Sequence, residues 1–207
     1  MLFRSTVPVG RNLKFSPQNK VVDALIGGWK VAGTFVAYTG QPFNITGTGS
    51  SLQCTGCSQT AFQIGSVRKL GGHGPQDPYY DPMSFRDPQW YFNAASPNYI
   101  PGTVGRNALY GPGYWRLNPA IYKNFQVKVF KGREPINMEF RAESNNITNS
   151  PVWSTPNGGS ASLRLIPRGS PNEGALDTSV ANPTGNFMSM TGASTGREFR
   201  FGLRVSF

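Results

Sequence analysis

Residues 199–207 (FRFGLRVSF) alternate without a break. Phe199, Phe201, Leu203, Val205 and Phe207 are apolar, and Arg200, Gly202, Arg204 and Ser206 between them are polar or small. A period of two matches the pleat of a β-strand, in which successive side chains point to opposite faces. A second segment repeats the pattern: Ile136, Met138, Phe140 and Ala142 alternate with Asn137, Glu139, Arg141 and Glu143. Strands of this kind need an apolar medium on one side and a polar one on the other. That demand constrains the fold more than any other feature of the chain.

The remaining composition agrees with strands and long loops. The 207 residues include 25 Gly and 17 Pro, aromatics make up 13%, and only 14% are charged. Gly, Pro and aromatic residues together suit strands and turns better than helices. No run of 18 or more apolar residues exists, which excludes a transmembrane helix. A transmembrane β-barrel is not excluded, because its strands alternate and never form such a run. A mean hydropathy of −0.36 is therefore weak evidence for solubility. An alternating strand that closes on an aromatic residue is the rule in outer-membrane barrels, with lipid outside and a polar lumen inside.

The net charge of +10 raises nucleic-acid binding as a reading. The basic residues are scattered from Arg4 to Arg204, with no dense basic helix, zinc-finger spacing or RNP-type signature. Charge alone does not identify a partner, and a soluble basic β-domain stays the least favoured reading. Met1 is not followed by a basic stretch, an apolar core and a small-residue cleavage site, so no signal peptide is expected here. With the strand pattern, this favours a segment whose export signal lies upstream.

Along the chain, strands are predicted at about 2–9, 28–45, 115–130, 135–147 and 197–207. Residues 10–27 read as a connector with a short helical turn around Val21 to Ile26. In the second strand Trp29, Val31, Gly33, Phe35 and Ala37 share a row, and Gly40 with Pro42 implies a bend or an edge near its end. In the third, Leu117, Ile121, Phe125, Val127 and Val129 share a row that Lys123 interrupts and Pro119 weakens. Lys131 to Glu134 form a tight polar turn. Residues 47–114 and 149–195 are long Gly/Pro/Ser-rich loops. Compact soluble domains rarely tolerate such loops, and barrels do. The loop aromatics Tyr79, Tyr80, Phe85, Trp90, Tyr91 and Phe92 are expected to pack the first loop against itself rather than face a ligand. The fold class is all-β: an antiparallel transmembrane β-barrel fragment, residues 1–207, of about five long strands.

No catalytic constellation, metal site or cofactor motif is read, and the chain is not expected to be an enzyme. The one histidine, His73, lies between glycines. GRNALYGPG is glycine-rich but lacks the lysine and the strand-to-helix context of a phosphate-binding loop. Glu139, Arg141, Glu143, Arg200 and Arg204 fall on polar rows and are the lumen-facing candidates, an ion-pair ladder rather than a hydrolase pair. Cys54 and Cys57 form a CTGC in a loop-like context. A small disulfide in an oxidising space is the leading reading, ahead of free thiols and of a metal or redox site.

These motifs occur in an order that resembles the carboxy-terminal part of a TonB-dependent outer-membrane receptor. The Oar-like type, whose full members carry a carboxypeptidase-regulatory-like domain ahead of plug and barrel, is the nearest. The resemblance rests on VPVG at 7–10, GGWKVAGTFVAYTGQPF at 27–43, VGRNALYGPGYWRLNPAIYKNF at 104–125, INMEFRAESNNITNSP at 136–151 and REFRFGLRVSF at 197–207. The chain departs from the family at Asn118 and Ala120, where an acidic residue and then Ser are usual, and at Ser144, where an aromatic is. A plug domain, a TonB box and an export signal are absent from these residues.

The resemblance implies a barrel of about 22 strands. Five strands are too few to close, since the smallest closed barrels have about eight. It also implies a bacterial outer-membrane location, a periplasmic carboxy terminus and extracellular loops at 47–114 and 149–195. Phe199, Phe201, Leu203, Val205 and Phe207 become the terminal strand read by the barrel assembly machinery. The expected partners are outer-membrane lipid, the remaining barrel strands and plug domain, the assembly machinery, and TonB through the missing amino-terminal part, with no nucleic acid. The expected function is TonB-dependent transport. A structural or adhesive surface protein built on the same strands is the alternative.

Overall fold

The computed structural model describes residues 1–9, 14–15, 19–49, 57–91, 100–127, 135–194 and 196–206. They form two compact units. The first comprises Met1–Tyr38, Tyr114–Pro151 and Thr195–Phe207, and the second comprises Thr39–Gly113 and Val152–Ser194.

The first unit is one antiparallel sheet of five strands in chain order: β1 (Leu2–Thr6), β2 (Trp29–Tyr38), β3 (Tyr114–Val127), β4 (Ile136–Asn145) and β5 (Glu198–Ser206). The fold class is all-β. One seven-residue helix, α1 (Lys20–Ile26), lies on the connection between β1 and β2. Gly28, with φ of +73°, ends it in the left-handed conformation that a Cβ disfavours, and donates its N–H to Val9 O at 3.0 Å. Among the described residues no helix is long and apolar enough to cross a membrane. Strands β2 to β5 each run 9 to 14 residues, and about 9–11 tilted residues cross a bilayer.

The strand ends differ from the sequence expectation at several points, each with a local cause. β1 ends at Thr6 instead of 9, just ahead of Pro8, which has no N–H to give a ladder. β2 ends at Tyr38 instead of 45, and Pro42–Phe43 pairs with Leu109–Tyr110 in the second unit. A Cβ on Gly40 would collide with the Gly111 carbonyl, so this backbone approach depends on glycine. β4 ends at Asn145, because Asn146 turns left-handed at φ +54° and its side chain bonds the backbone N–H and carbonyl of Ser150. The predicted polar turn at 131–134 and the end of the third strand at 128–130 lie outside the described residues, as does Phe207.

Pro119 does not break β3. The β3–β4 ladder ends at Glu143 opposite Ala120, so no rung falls at the proline on that side. Beyond it the Asn118 carboxamide oxygen accepts from Asn146 N at 2.8 Å, and Leu117 O accepts from Ile147 N at 3.0 Å. On the other neighbour Pro119 faces Gly33. A Cβ on Gly33 would lie 2.5 Å from the Phe3 ring, so the glycine leaves the space that the cross-strand aromatic fills.

The second unit is built almost wholly from the two long loops expected at 47–114 and 149–195. Segments distant in sequence share one core of Phe43, Ile45, Ala61, Phe85, Val104, Leu163, Phe187 and Met188. Phe85 and Phe187 meet edge to face at 6.1 Å. Two-residue strand pairs join Thr46–Gly47 to Gln59–Thr60 and Phe62–Gln63 to Phe85–Arg86.

Candidate functional site

The register assigns every described strand residue of the first unit to one of two faces. Opposed residues in an antiparallel pair project to the same side. One face carries Phe3, Trp29, Val31, Phe35, Trp115, Ile121, Phe125, Met138, Phe140, Phe199, Phe201, Leu203 and Val205. Its aromatics meet across strands: Trp29 and Phe140 edge to face at 6.2 Å, Phe35 and Trp115 at 6.1 Å. Phe201 is 74% exposed and Leu203 60%. A continuous apolar face of this size is not left to water.

The opposite face holds all five residues expected there. Glu139 stands opposite Arg204, Arg141 opposite Gly202, and Glu143 opposite Arg200. Arg141 and Glu143 form an ion pair, with Arg141 Nε donating to Glu143 Oε1 at 2.7 Å. Arg200 pairs along its own strand with Glu198 at 3.0 Å. Tyr122, one strand over, donates its hydroxyl to Glu143 at 3.4 Å and lies under the Arg141 guanidinium at 5.3 Å. These ion pairs run along β4 and along β5. Exposed pairs of this type contribute only about 0–1 kcal/mol each, so the row serves as a charged surface and not as a clamp. Ala32 and Ala120 leave hollows in this face. One of about 360 Å³ reaches Thr34, Asn118, Tyr122, Glu143 and Arg200, and another of about 310 Å³ reaches Arg4, Lys30, Asn124 and Glu139.

Lys123 departs from the two-face rule, and sequence reasoning saw it only as an interruption. It sits in the apolar row between Trp29 and Phe140, yet it is 3% exposed. Its Nζ donates to Leu25 O at 2.9 Å and Gly27 O at 2.7 Å, and lies 5.1 Å from the Trp29 ring centroid. Trp29 Nε1 also donates to Leu25 O, at 3.0 Å. The ammonium thus satisfies carbonyls at the carboxy-terminal end of α1, where the helix dipole favours a cation. The signal available in sequence was a lysine in an apolar row together with a helix-length connector.

In the second unit the aromatics expected to pack do so in part: Phe85 is fully buried and Tyr79 is 4% exposed. Phe92 lies outside the described residues. Asp87 ties segments together by accepting from Thr48 N at 3.0 Å, Thr48 Oγ1 at 2.6 Å and Gln89 N at 2.8 Å, with Ser160 Oγ 3.0 Å away. Arg86 is buried and donates to Phe85 O at 3.0 Å and Gly174 O at 2.8 Å. Burial pushes its pKa below the ordinary arginine value. Beside Asp87, a hollow of about 290 Å³ is lined by Gln89, Trp90, Arg164 and Leu165. His73 packs against Tyr79 and Trp153 at 5.8 and 5.5 Å. Cys57 is disulfide-bonded, while Cys54 lies outside the described residues. Among the described residues no cluster of three or more His, Cys, Asp or Glu side chains is placed to hold a metal ion.

An antiparallel sheet with one mainly apolar face and one mainly polar and charged face, with spans of bilayer length, is the wall of a membrane β-barrel. The family model for an outer membrane beta barrel domain matches residues 3–200, and the chain belongs to that family. Its place is the bacterial outer membrane. Comparison with curated proteins found no match, and comparison with solved structures found none.

Proposed function

We propose that this chain is barrel wall from a TonB-dependent receptor of the Oar-like type, and that the intact protein moves a ligand across the outer membrane. The apolar face meets lipid. The face with Glu139, Arg141, Glu143, Arg200 and Arg204 borders lumen and plug, and the second unit faces outside the cell and meets the ligand. The observation that carries this reading is the size of the two connections between β2 and β3 and between β4 and β5. Both leave the sheet from one end, and together they build a unit with its own aromatic core. A plain structural barrel has no need of that investment, and a receptor has. The family-ordered motifs support the TonB assignment. In this reading the carboxy terminus is periplasmic, and Phe207 closes the strand that the assembly machinery recognises.

The experiment is retention on immobilised TonB carboxy-terminal domain. The native protein, extracted from outer membranes in mild detergent, should be held on the resin and released by free TonB domain. Passage without retention, alongside a retained control receptor, would remove the TonB reading and leave the adhesive or structural one.

A further inference from the structure

The connection between β1 and β2 is too long for a simple turn, and the transport reading gives it no task. Its helix α1 presents Val22, Leu25 and Ile26 to the surroundings, with exposures of 40%, 66% and 48%. Seven residues do not hold a helix in water by themselves. Here Lys123 and Trp29 hold it through three hydrogen bonds to Leu25 O and Gly27 O. Both side chains stand in the apolar row of the sheet, so the helix end is fixed against the face that meets lipid. In the preceding connector Lys14 lies 5.8 Å from the ring of Phe15, itself 59% exposed. A cation beside an aromatic ring, next to an amphipathic segment, is the arrangement of the headgroup–acyl boundary.

From this geometry we infer that α1 is an interfacial helix: Lys123 clamps it to the lipid face of the barrel, and Val22, Leu25 and Ile26 insert into the phospholipid leaflet at that end of the sheet. The occupant is lipid and not a protein because Lys123 and Trp29 hold the helix end on a face already committed to acyl chains, and its apolar side chains stay exposed there. A lysine on such a face would otherwise leave its charge bare in hydrocarbon, which membrane proteins avoid by pairing or by reaching for the interface. Spending that charge on the carbonyls of α1 removes the penalty and fixes the helix at once. The inference requires the barrel to be in a membrane and is independent of TonB.

The test is nitroxide accessibility in the intact protein, reconstituted in vesicles of phosphatidylethanolamine and phosphatidylglycerol, with Cys54 and Cys57 replaced by serine. A label at Leu25→Cys should collide with dissolved oxygen several-fold more, relative to a water-soluble nickel chelate, than a label at the exposed loop residue Ser179→Cys. Equal ratios at the two sites would place α1 in water and overturn the inference. Exclusion of both reagents at Leu25 would show a protein cover and overturn it equally. Adding Lys123→Met should cut the Leu25 ratio towards the Ser179 value. A folded Lys123→Met barrel with an unchanged ratio would overturn the clamp. If that variant does not assemble, the Leu25 label in the parent protein still decides whether the helix lies in the leaflet.

Discussion

Adjacent residues in the middle of β5 offer the sharpest test of the two-face arrangement. Leu203 projects from the apolar face opposite Phe140, and Gly202 projects from the charged face opposite Arg141. Both lie near the centre of the nine-residue strand, so depth in the bilayer is nearly the same. Arginine on the lipid face at mid-depth costs about 2–4 kcal/mol, a roughly thirtyfold to thousandfold loss in folding equilibrium. Leu203→Arg should show that loss. Gly202→Arg meets open space, since nothing lies within 4 Å of its Cβ position. It places like charges opposite each other, at a cost of roughly 0.2–1 kcal/mol. The predicted gap is therefore at least about 1 kcal/mol and centres near 2–3. The assay is urea unfolding of the intact protein in lipid vesicles, followed by tryptophan fluorescence and by heat-dependent gel mobility. Equal destabilisation by the two variants, or a larger loss for Gly202→Arg, would refute the assignment of faces.

Two further outcomes follow from the packing. Phe85→Ala removes a fully buried ring from the core of the second unit and should cost about 3–5 kcal/mol there. Limited proteolysis should then cut within 39–113 and 152–194 while the barrel keeps its heat-dependent mobility; an unchanged digestion pattern would contradict a shared core. Gly33→Val would drive a branched side chain into the space of the Phe3 ring and should lower assembly yield, with partial recovery in Gly33→Val/Phe3→Ala. Membrane-fraction immunoblots measure this, and equal yields in the parent and both variants would rule out the contact as a determinant.

Much of the sheet was legible because its cause is local. A period of two needs no knowledge of the rest of the chain, and it assigned Phe199, Phe201, Leu203 and Val205 to one face and Glu139, Arg141, Glu143, Arg200 and Arg204 to the other. The bend after Tyr38 was visible in Gly40 and Pro42. The interior of the second unit was legible only in the expectation that loop aromatics such as Tyr79 and Phe85 pack; which segments meet there was not. Phe43, Phe85, Val104 and Phe187 carry no periodicity, and their contacts span sequence separations that no window can join. The stated alternation also left Lys123 unexplained, because its partners are carbonyls of a helix near residue 25.

What the sequence by itself determined is the pair of media the strands require, apolar on one side and polar on the other. Alternation is a one-dimensional property that survives any tertiary arrangement preserving the strands. Tertiary structure alone decided where the exceptions go. It placed the Lys123 ammonium on the end of α1, folded two distant connections around one aromatic core, and seated Pro119 where the β4 ladder stops. Each of these depends on satisfying a buried charge, an apolar side chain or a missing N–H with a group far away in the chain, and only folding supplies that group.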